Sequence, residues 1–370
     1  MANENVFKYS SMFGDLTKEV QLRFDAASRH NVQLFDNLIY PNYLTWDYPT
    51  LGFDFEEIKG KYNITIAAAT IDQNSKEPVL LTHGLETIKE RILTHSITLP
   101  LTINDRRRIM QLIDSKRIPE DEKKRQLVDL MWGTVLTPMN GVQARLDMIF
   151  LSALSNEGIA VIDSTNNPEG GVKTAINYNM PAGNIATVTV PWTAPNLSTV
   201  DVFEDIQEVV DSARDKIVFE KILLSPARLS YILKSKKLKT VIFGTDKTNS
   251  PLLIKQLNEF MRLNELPRFE VIRRQVNVQN NGSLKLFNPW NPNNLVFVPS
   301  GSLGVIKNAY ADGELDPEPG VRYSYYGRIQ VSQWKVGETQ GSKGVEFTKA
   351  EVNAIPVLTE IDGIYTLKVE

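Results

Sequence analysis

The sequence predicts an α+β protein, and three observations carry that expectation. Apolar residues recur at spacings of three and four across residues 119–158, the signature of an amphipathic helix. Period-two alternation marks strands at 61–71 and within 269–287. Between residues 200 and 260, capped helices interleave with short apolar strands.

Taken in order, residues 15–40 hold a helix with Val20, Phe24 and Ala27 on one face, extended through Asn31 and Leu34. The next stretch, YPNYLTWDYPTLGFDF (40–55), is broken by its prolines and glycine. Its tyrosines, Trp46, Phe53 and Phe55 either anchor an arm over a neighbour or cover this chain's own core, and the residues leave both open. In KYNITIAAATI (61–71), Tyr62, Ile64, Ile66 and Ala68 share one side of a half-buried strand. A turn-rich DQNSKEP follows, then a second alternating run at Ile97, Leu99 and Leu101. Two strands joined by a long excursion make an extended β-loop that buries little on its own chain.

Val128, Met131, Val135, Met139, Val142, Leu146, Ile149 and Ala153 form one apolar stripe. Thr137-Pro138 fits an N-cap followed by a first-turn proline, so two helices are expected to meet near 133–138, the second running over about 138–157 and ending at Gly158. TVTVPW (187–192) reads as a strand and 200–215 as a helix presenting Val202, Ile206, Val209 and Ala213. KIVFEKILLS (216–225) is a strand, Ser225-Pro226 opens a helix, KTVIFG (239–244) is a strand, and Ser250-Pro251 opens another helix. FEVIRRQVNVQNNGSLKLF (269–287) is a hairpin turning at Asn281-Gly282. NLVFVP (294–299) and several strands to Val369 complete the chain.

Composition narrows the chemistry. The 370 residues carry 41 Lys plus Arg against 44 Asp plus Glu, a net charge of −3, too balanced for a general polyanion binder. There is no cysteine, which removes disulfides, thiolate metal sites and cysteine nucleophiles. His30, His83 and His95 are the only histidines and read as surface or strand-packing residues. No apolar run exceeds four residues, far short of a membrane span, and the N-terminus lacks the pattern of a secretory signal. G-x-S-x-G, H-E-x-x-H and G-x-G-x-x-G are absent, and Gly60-Lys61 lacks the earlier glycine of a phosphate loop. No catalytic residue, cofactor or metal is assigned.

Several patterns occur together in register. N-S-K-E-P (74–78) leads through THGLETIKERILTHSITLPLTI to Arg106-Arg107-Arg108; R-L-D-M-I-F-L-S-A-L-S-N-E-G spans 145–158. Y-N-M-P-A-G-N-I-A-T-V-T-V-P-W-T-A-P-N (178–196) enters D-x-F-E-D-I, and A-I-P-V-L-T-E-I-D-G-I-Y-T-L-K-V (354–369) closes the chain. In this order they resemble the major capsid proteins of tailed bacteriophages, the lambda-type capsid protein E family, over roughly residues 60–370. The resemblance implies a Hong Kong 97-like fold: an N-terminal arm (1–60), an extension loop (61–104), a peripheral domain (105–200) with its spine helix, an axial domain (201–345), and C-terminal strands returning (346–370).

It further implies a non-enzymatic subunit that forms pentamers and hexamers of itself, closing an icosahedral shell in the bacterial host cytoplasm and residing in the virion capsid. The implied partners are a portal protein, a separate scaffolding protein, optionally a decoration protein, and packaged double-stranded DNA touched without sequence reading, with no membrane. Tyr62, Ile64, Ile66, Leu81, Ile97, Leu99 and Trp46 are the expected inter-subunit contacts. The basic runs Arg106–Arg108, Lys123–Arg125 and 234–239 either face DNA or form solvated, ion-paired faces. Some capsids of this fold form Lys–Asn cross-links; Lys61, Lys76, Lys89 and Asn353 are the residues available here, without a motif to license the reaction. An encapsulin-like nanocompartment shell and a soluble two-carboxylate hydrolase are the competing readings.

Overall fold

A computed structural model describes residues 18–59 (except 28, 30–34 and 36), 87–245 (except 102), 248, 250–336 and 345–370. The strand expected at 61–71 lies outside the described residues, as do Tyr62, Ile64, Ile66 and Leu81.

One long strand organises the first half of the molecule. β16 (Glu346–Val357) pairs along one edge with β4 (Thr94–Pro100). Along its other edge it pairs first with β15 (Ile329–Lys335) and then with β13 (Gly304–Ala309). β14 (Arg322–Tyr326) extends the sheet beyond β15, and β1 (Leu44–Trp46) runs parallel to β13. Ala350, Val352 and Ala354 alternate on the β16 face that meets helix α3 (Glu120–Ser155). Gly141 brings β4 close to that helix, since a Cβ there would stand 3.3 Å from the Ile97 side chain. α2 (Ile103–Asp114) and residues 18–27, which form helix α1, complete this core, with Val20 and Phe24 buried in it.

The second sheet runs β7 (Ile185–Thr187), β17 (Tyr365–Lys368), β12 (Asn294–Pro299), β8 (Phe219–Leu224), β9 (Arg268–Val271). Every residue of β12 is buried. Leu295 and Phe297 face a second core built with α4 (Val202–Ala213), α5 (Pro226–Lys234), α6 (Lys236–Phe243) and α7 (Ile254–Leu263). Val296 and Val298 face the first core. A strand covered on both faces needs a continuous apolar run, which is what NLVFVP supplies.

Three antiparallel pairs stand apart from both sheets: β2 (Asp54–Ile58) with β3 (Thr87–Arg91), β5 (Ile159–Ile162) with β6 (Thr174–Asn177), and β10 (Val276–Asn280) with β11 (Ser283–Phe287). The last turns through Asn281 and Gly282, both at positive φ, the backbone a two-residue hairpin requires.

Four local expectations are corrected. The break near 133–138 is absent, and α3 continues through Pro138 to Ser155. A proline inside a helix costs about 3 kcal/mol. Val135, Met139, Val142 and Leu146, all buried, each return roughly 1.5–3 kcal/mol, so packing overrides the breaker. Residues 239–244 belong to helix α6, whose N-terminus is capped by the Ser235 hydroxyl accepting from Leu238 N at 3.4 Å; a short apolar run fits either period. The strand near 187–192 ends at Thr187, with Val188 N and Trp192 N still donating to Lys368 and Val369 carbonyls. The helix after Ser250-Pro251 begins only at Ile254, with the Leu253 N–H donating to Gln256 Oε1 at 3.0 Å.

Larger units also differ from expectation. Among the described residues β4 pairs with β16, which joins it to the chain's own main sheet. β13, β14 and β15 belong to the sheet on α3, so residues 304–335 pack with the first core rather than with 201–299.

Candidate inter-subunit surfaces

The segment bearing Trp46 is held firmly before its apolar residues emerge. Ile39 N and Tyr40 N both donate to Asp147 Oδ1 at 2.9 Å, and the Tyr40 hydroxyl donates to Gln143 Oε1. Asp147 is fully buried on α3, and Arg274 Nε lies 2.8 Å from its other oxygen. Burial pushes the Asp147 carboxyl up, against the backbone N–H groups and the Arg274 charge that favour its ionised form. Tyr43 stacks on Phe150. The aromatic segment therefore divides: Tyr40 and Tyr43 cover this chain's core, while Trp46 is 37% and Tyr48 85% exposed.

Just beyond, β2 and β3 form the stem from which residues 60–86 depart. Lys307 on β13 bridges Asp47 and Glu57, tying that stem to the main sheet. Burial works against the Lys307 ammonium, but its hydrogen bonds to the two carboxylates raise it overall, and the same bond holds Asp47 below the usual carboxylate range. At the end of the stem where residues 60–86 depart, buried Lys59 donates to the Asn179 carbonyl at 2.8 Å and lies 3.6 Å from Asp362. The stem is thus rooted by charge inside the subunit.

Of the expected contact residues, Ile97 is 44% exposed and Leu99 half-buried, both on β4. Their register partners are Ala350 and Thr348, so the two aliphatics lie on one face of the sheet, that of α3. Between them and the stem, buried His95 sets Nε2 3.0 Å from the Ala354 carbonyl. Burial first, then the nearby Arg145 charge, brings its pKa down to about 4. His95 is a strand-packing residue.

The basic runs are spent in part inside the subunit. Lys123 pairs with Glu120, Lys124 with Glu19 and Arg125 with Glu122. In 234–239, Leu238 is buried and Lys237 lies 3.8 Å from Asp201. Arg107 and Arg108 are exposed on α2. Asn353 is buried, accepting from Thr94 Oγ1 at 2.8 Å and donating to the Tyr310 carbonyl at 2.9 Å. Lys89 is exposed beside Glu56 at 3.2 Å. Asn353 is thus held inside the subunit.

Sequence reasoning missed several exposed apolar side chains, among them Leu51, Leu284 and Leu286. The signal for the last two was present. In the hairpin register Leu286 lies opposite Asn277 and Leu284 opposite Gln279, so alternation puts both leucines on one face. Alternation alone does not say which face is covered. Among the described residues no helix is long and apolar enough to cross a membrane, and no group of side chains is arranged to hold a metal ion.

Comparison with known proteins places the chain in a family. No curated protein matches the sequence. Among solved structures, the chain is similar to one assigned as a prophage capsid protein of E. coli CFT073, with TM-score 0.51 and 14% identity over 77% of this chain and 80% of that one. A phage-related protein of Bordetella bronchiseptica RB50 aligns with TM-score 0.48 and 13% identity over 93% of this chain and 95% of its own. The first likeness shows a shared Hong Kong 97-like fold. Residues 110–369 match the family described as phage major capsid protein E. That family and fold point to a structural protein rather than an enzyme, and favour a phage shell over a nanocompartment or a hydrolase. With most of its length inside the match, the chain belongs to the phage major capsid protein E family, as a subunit that assembles with itself into the capsid of the virion.

Proposed function

We propose that this subunit gathers into pentamers and hexamers that close an icosahedral head around double-stranded DNA in the cytoplasm of a bacterial host. Residues 1–60 act as the arm and 61–104 as the extension loop. The peripheral domain is built on α3, and the axial domain centres on the second core. A portal at one vertex, a separate scaffolding protein and a decoration protein are the partners of this reading, with DNA contacted through its phosphates alone. Trp46, Ile97 and Leu99 face neighbouring subunits, as do Tyr62, Ile64, Ile66 and Leu81 of the loop.

The observation that supports it is the set of two-stranded ribbons. Isolated hairpins are at best marginal in water, yet β10–β11 carries two exposed leucines, and the β2–β3 stem opens beside exposed Trp46 and Tyr48. Such elements gain stability when neighbours in a closed shell cover them. The test is expression of the full chain alone and with its scaffolding protein, followed by sedimentation and negative-stain imaging. Closed shells or capsomer rings are expected. A stable monomer or dimer under both conditions overturns the proposal.

A further inference from the structure

Two exposed segments of this chain complement each other in charge, and among the described residues their exposed charged groups make no ion pair. The first is the β10–β11 ribbon. Its outer face presents Leu284, 70% exposed, and Leu286, 58% exposed, between the neutral amides of Asn277 and Gln279. Exposed Arg273 at its base and Lys285 on its other face make the ribbon basic; residues 271–293 contain no acid. Neither of these two cations is ion-paired among the described residues. Arg274, by contrast, turns inward to Asp147, so the ribbon's root is anchored to α3 while its tip projects.

The second is the segment 312–318. Asp312, Glu314, Asp316 and Glu318 give it four carboxylates and no base, and all four are exposed. None makes an ion pair with a described residue. Arg328 is near enough to favour the ionised form of Glu314, against the larger opposing effect of burial. Leu315, 55% exposed, stands among them. The segment itself is seated firmly: Gly313 lies so close to Tyr323 and Gln330 that a Cβ there would come within 2.8 Å of both side chains, and the Tyr323 hydroxyl accepts from Glu318 N at 3.1 Å. An acidic loop with a projecting leucine is thus held rigidly on the outside of β14.

We propose that, within the shell assembly argued above and resting on that reading, the β10–β11 ribbon of one subunit docks on residues 312–318 of a second copy. The leucine pair seats against Leu315 and Arg273 at the ribbon's base faces the carboxylates, while Lys285, on the opposite face, adds to the positive field that steers the approach without entering the contact. A contact between two different patches is heterologous, and a heterologous contact repeated by rotation closes a ring. Opposite charge steers the approach and fixes the partner, while the leucines supply the area removed from water. A second copy is the occupant that both the complementary charge and self-assembly into a shell require.

The chain has no cysteine, which makes the test direct. Full-length Leu286→Cys and Leu315→Cys chains are mixed, assembled with the scaffolding protein and oxidised, with each variant alone as control. Disulfide-linked dimers formed from the mixture inside particles, and from neither variant alone, are the expected result. In parallel, Lys285→Glu with Arg273→Glu is expected to slow assembly about tenfold or more at low salt, with recovery when Glu314→Lys and Asp316→Lys are added. Particles that form without the cross-link, or charge reversal without rescue, overturn this contact while leaving the shell reading intact. Failure of the unmodified chain to form any particle or ring overturns both.

Discussion

The seam between the two cores and the two-stranded ribbons are built from similar residues under opposite conditions. At the seam, β12 is buried on both faces. Ser155 and Asn156 at the end of α3 bind the approach to it: Asn291 N donates to Ser155 Oγ at 2.9 Å, Asn291 Nδ2 to Asn156 Oδ1 at 2.9 Å, and Asn294 Nδ2 to the Ser155 carbonyl at 2.8 Å. Arg228 adds hydrogen bonds to the Trp192 and Pro292 carbonyls and to Asn293, with an ion pair to Glu370. The β10–β11 ribbon, only seven residues upstream of β12 at its nearest point, leaves both leucines of β11 in water. The seam is satisfied by one chain. The ribbon's leucines have no such cover among the described residues.

The sharpest way to break the subunit is at Asp147, where α3 holds the Ile39–Tyr40 backbone and the root of the ribbon. Burial raises the cost of its charge, so the pair with Arg274 contributes little net; what makes its loss expensive is the guanidinium and the two N–H groups left behind. Asp147→Ala should therefore destabilise the subunit by about 3–5 kcal/mol, read as a lowered denaturant midpoint. Adding Arg274→Met should restore part of that loss. Equal instability of the single and double variants would show that the N–H groups of Ile39 and Tyr40, not the stranded charge, dominate.

A smaller effect distinguishes the sheet beneath the stem. His95 has a folded pKa of about 4 against an ordinary 6.5. The folded state keeps it neutral while the unfolded chain takes the proton, so stability is lost as pH falls from about 6.5 towards 4. The difference amounts to about 3 kcal/mol. Denaturant midpoints measured across this window should drop less steeply in His95→Leu than in the parent chain. Parallel slopes in the two would mean that the carboxylates alone set acid sensitivity, and that the β4–α3 contact tolerates a charged ring.

How far the sequence could be read follows the same division. Helix α4 was legible to the residue on its buried face: Val202, Ile206, Val209 and Ala213 are all buried, and Asp201 caps it by accepting from Glu204 N at 3.2 Å. NLVFVP and the Asn281-Gly282 turn were equally plain, because each rests on local chemistry. Pro138 misled because its penalty is local, while the contacts that outweigh it come from β16 and β4, far away in sequence. Residues 239–244 misled because Val241, Ile242 and Phe243 favour a strand by composition, whereas the Ser235 cap and Gly244, at positive φ, define a helix. Among exposed apolar residues, the sequence pointed to Trp46 and Ile97. It did not point to Leu284 and Leu286, because alternation is the same whether a face is covered by one's own chain or by another.

That last point yields the smallest effect on the subunit. Leu284→Ser combined with Leu286→Ser removes apolar surface that already lies in water, with no cavity made and no hydrogen bond lost. Surface changes of this kind shift stability within about 0.5 kcal/mol, so the denaturant midpoint of the isolated subunit should hardly move. Particle yield, measured by sedimentation under the same buffer, should fall sharply. The comparison would fail in an informative way if the midpoint dropped by as much as for a core residue. The ribbon would then be covered within the subunit, and its leucines would belong with β12 rather than with the assembly.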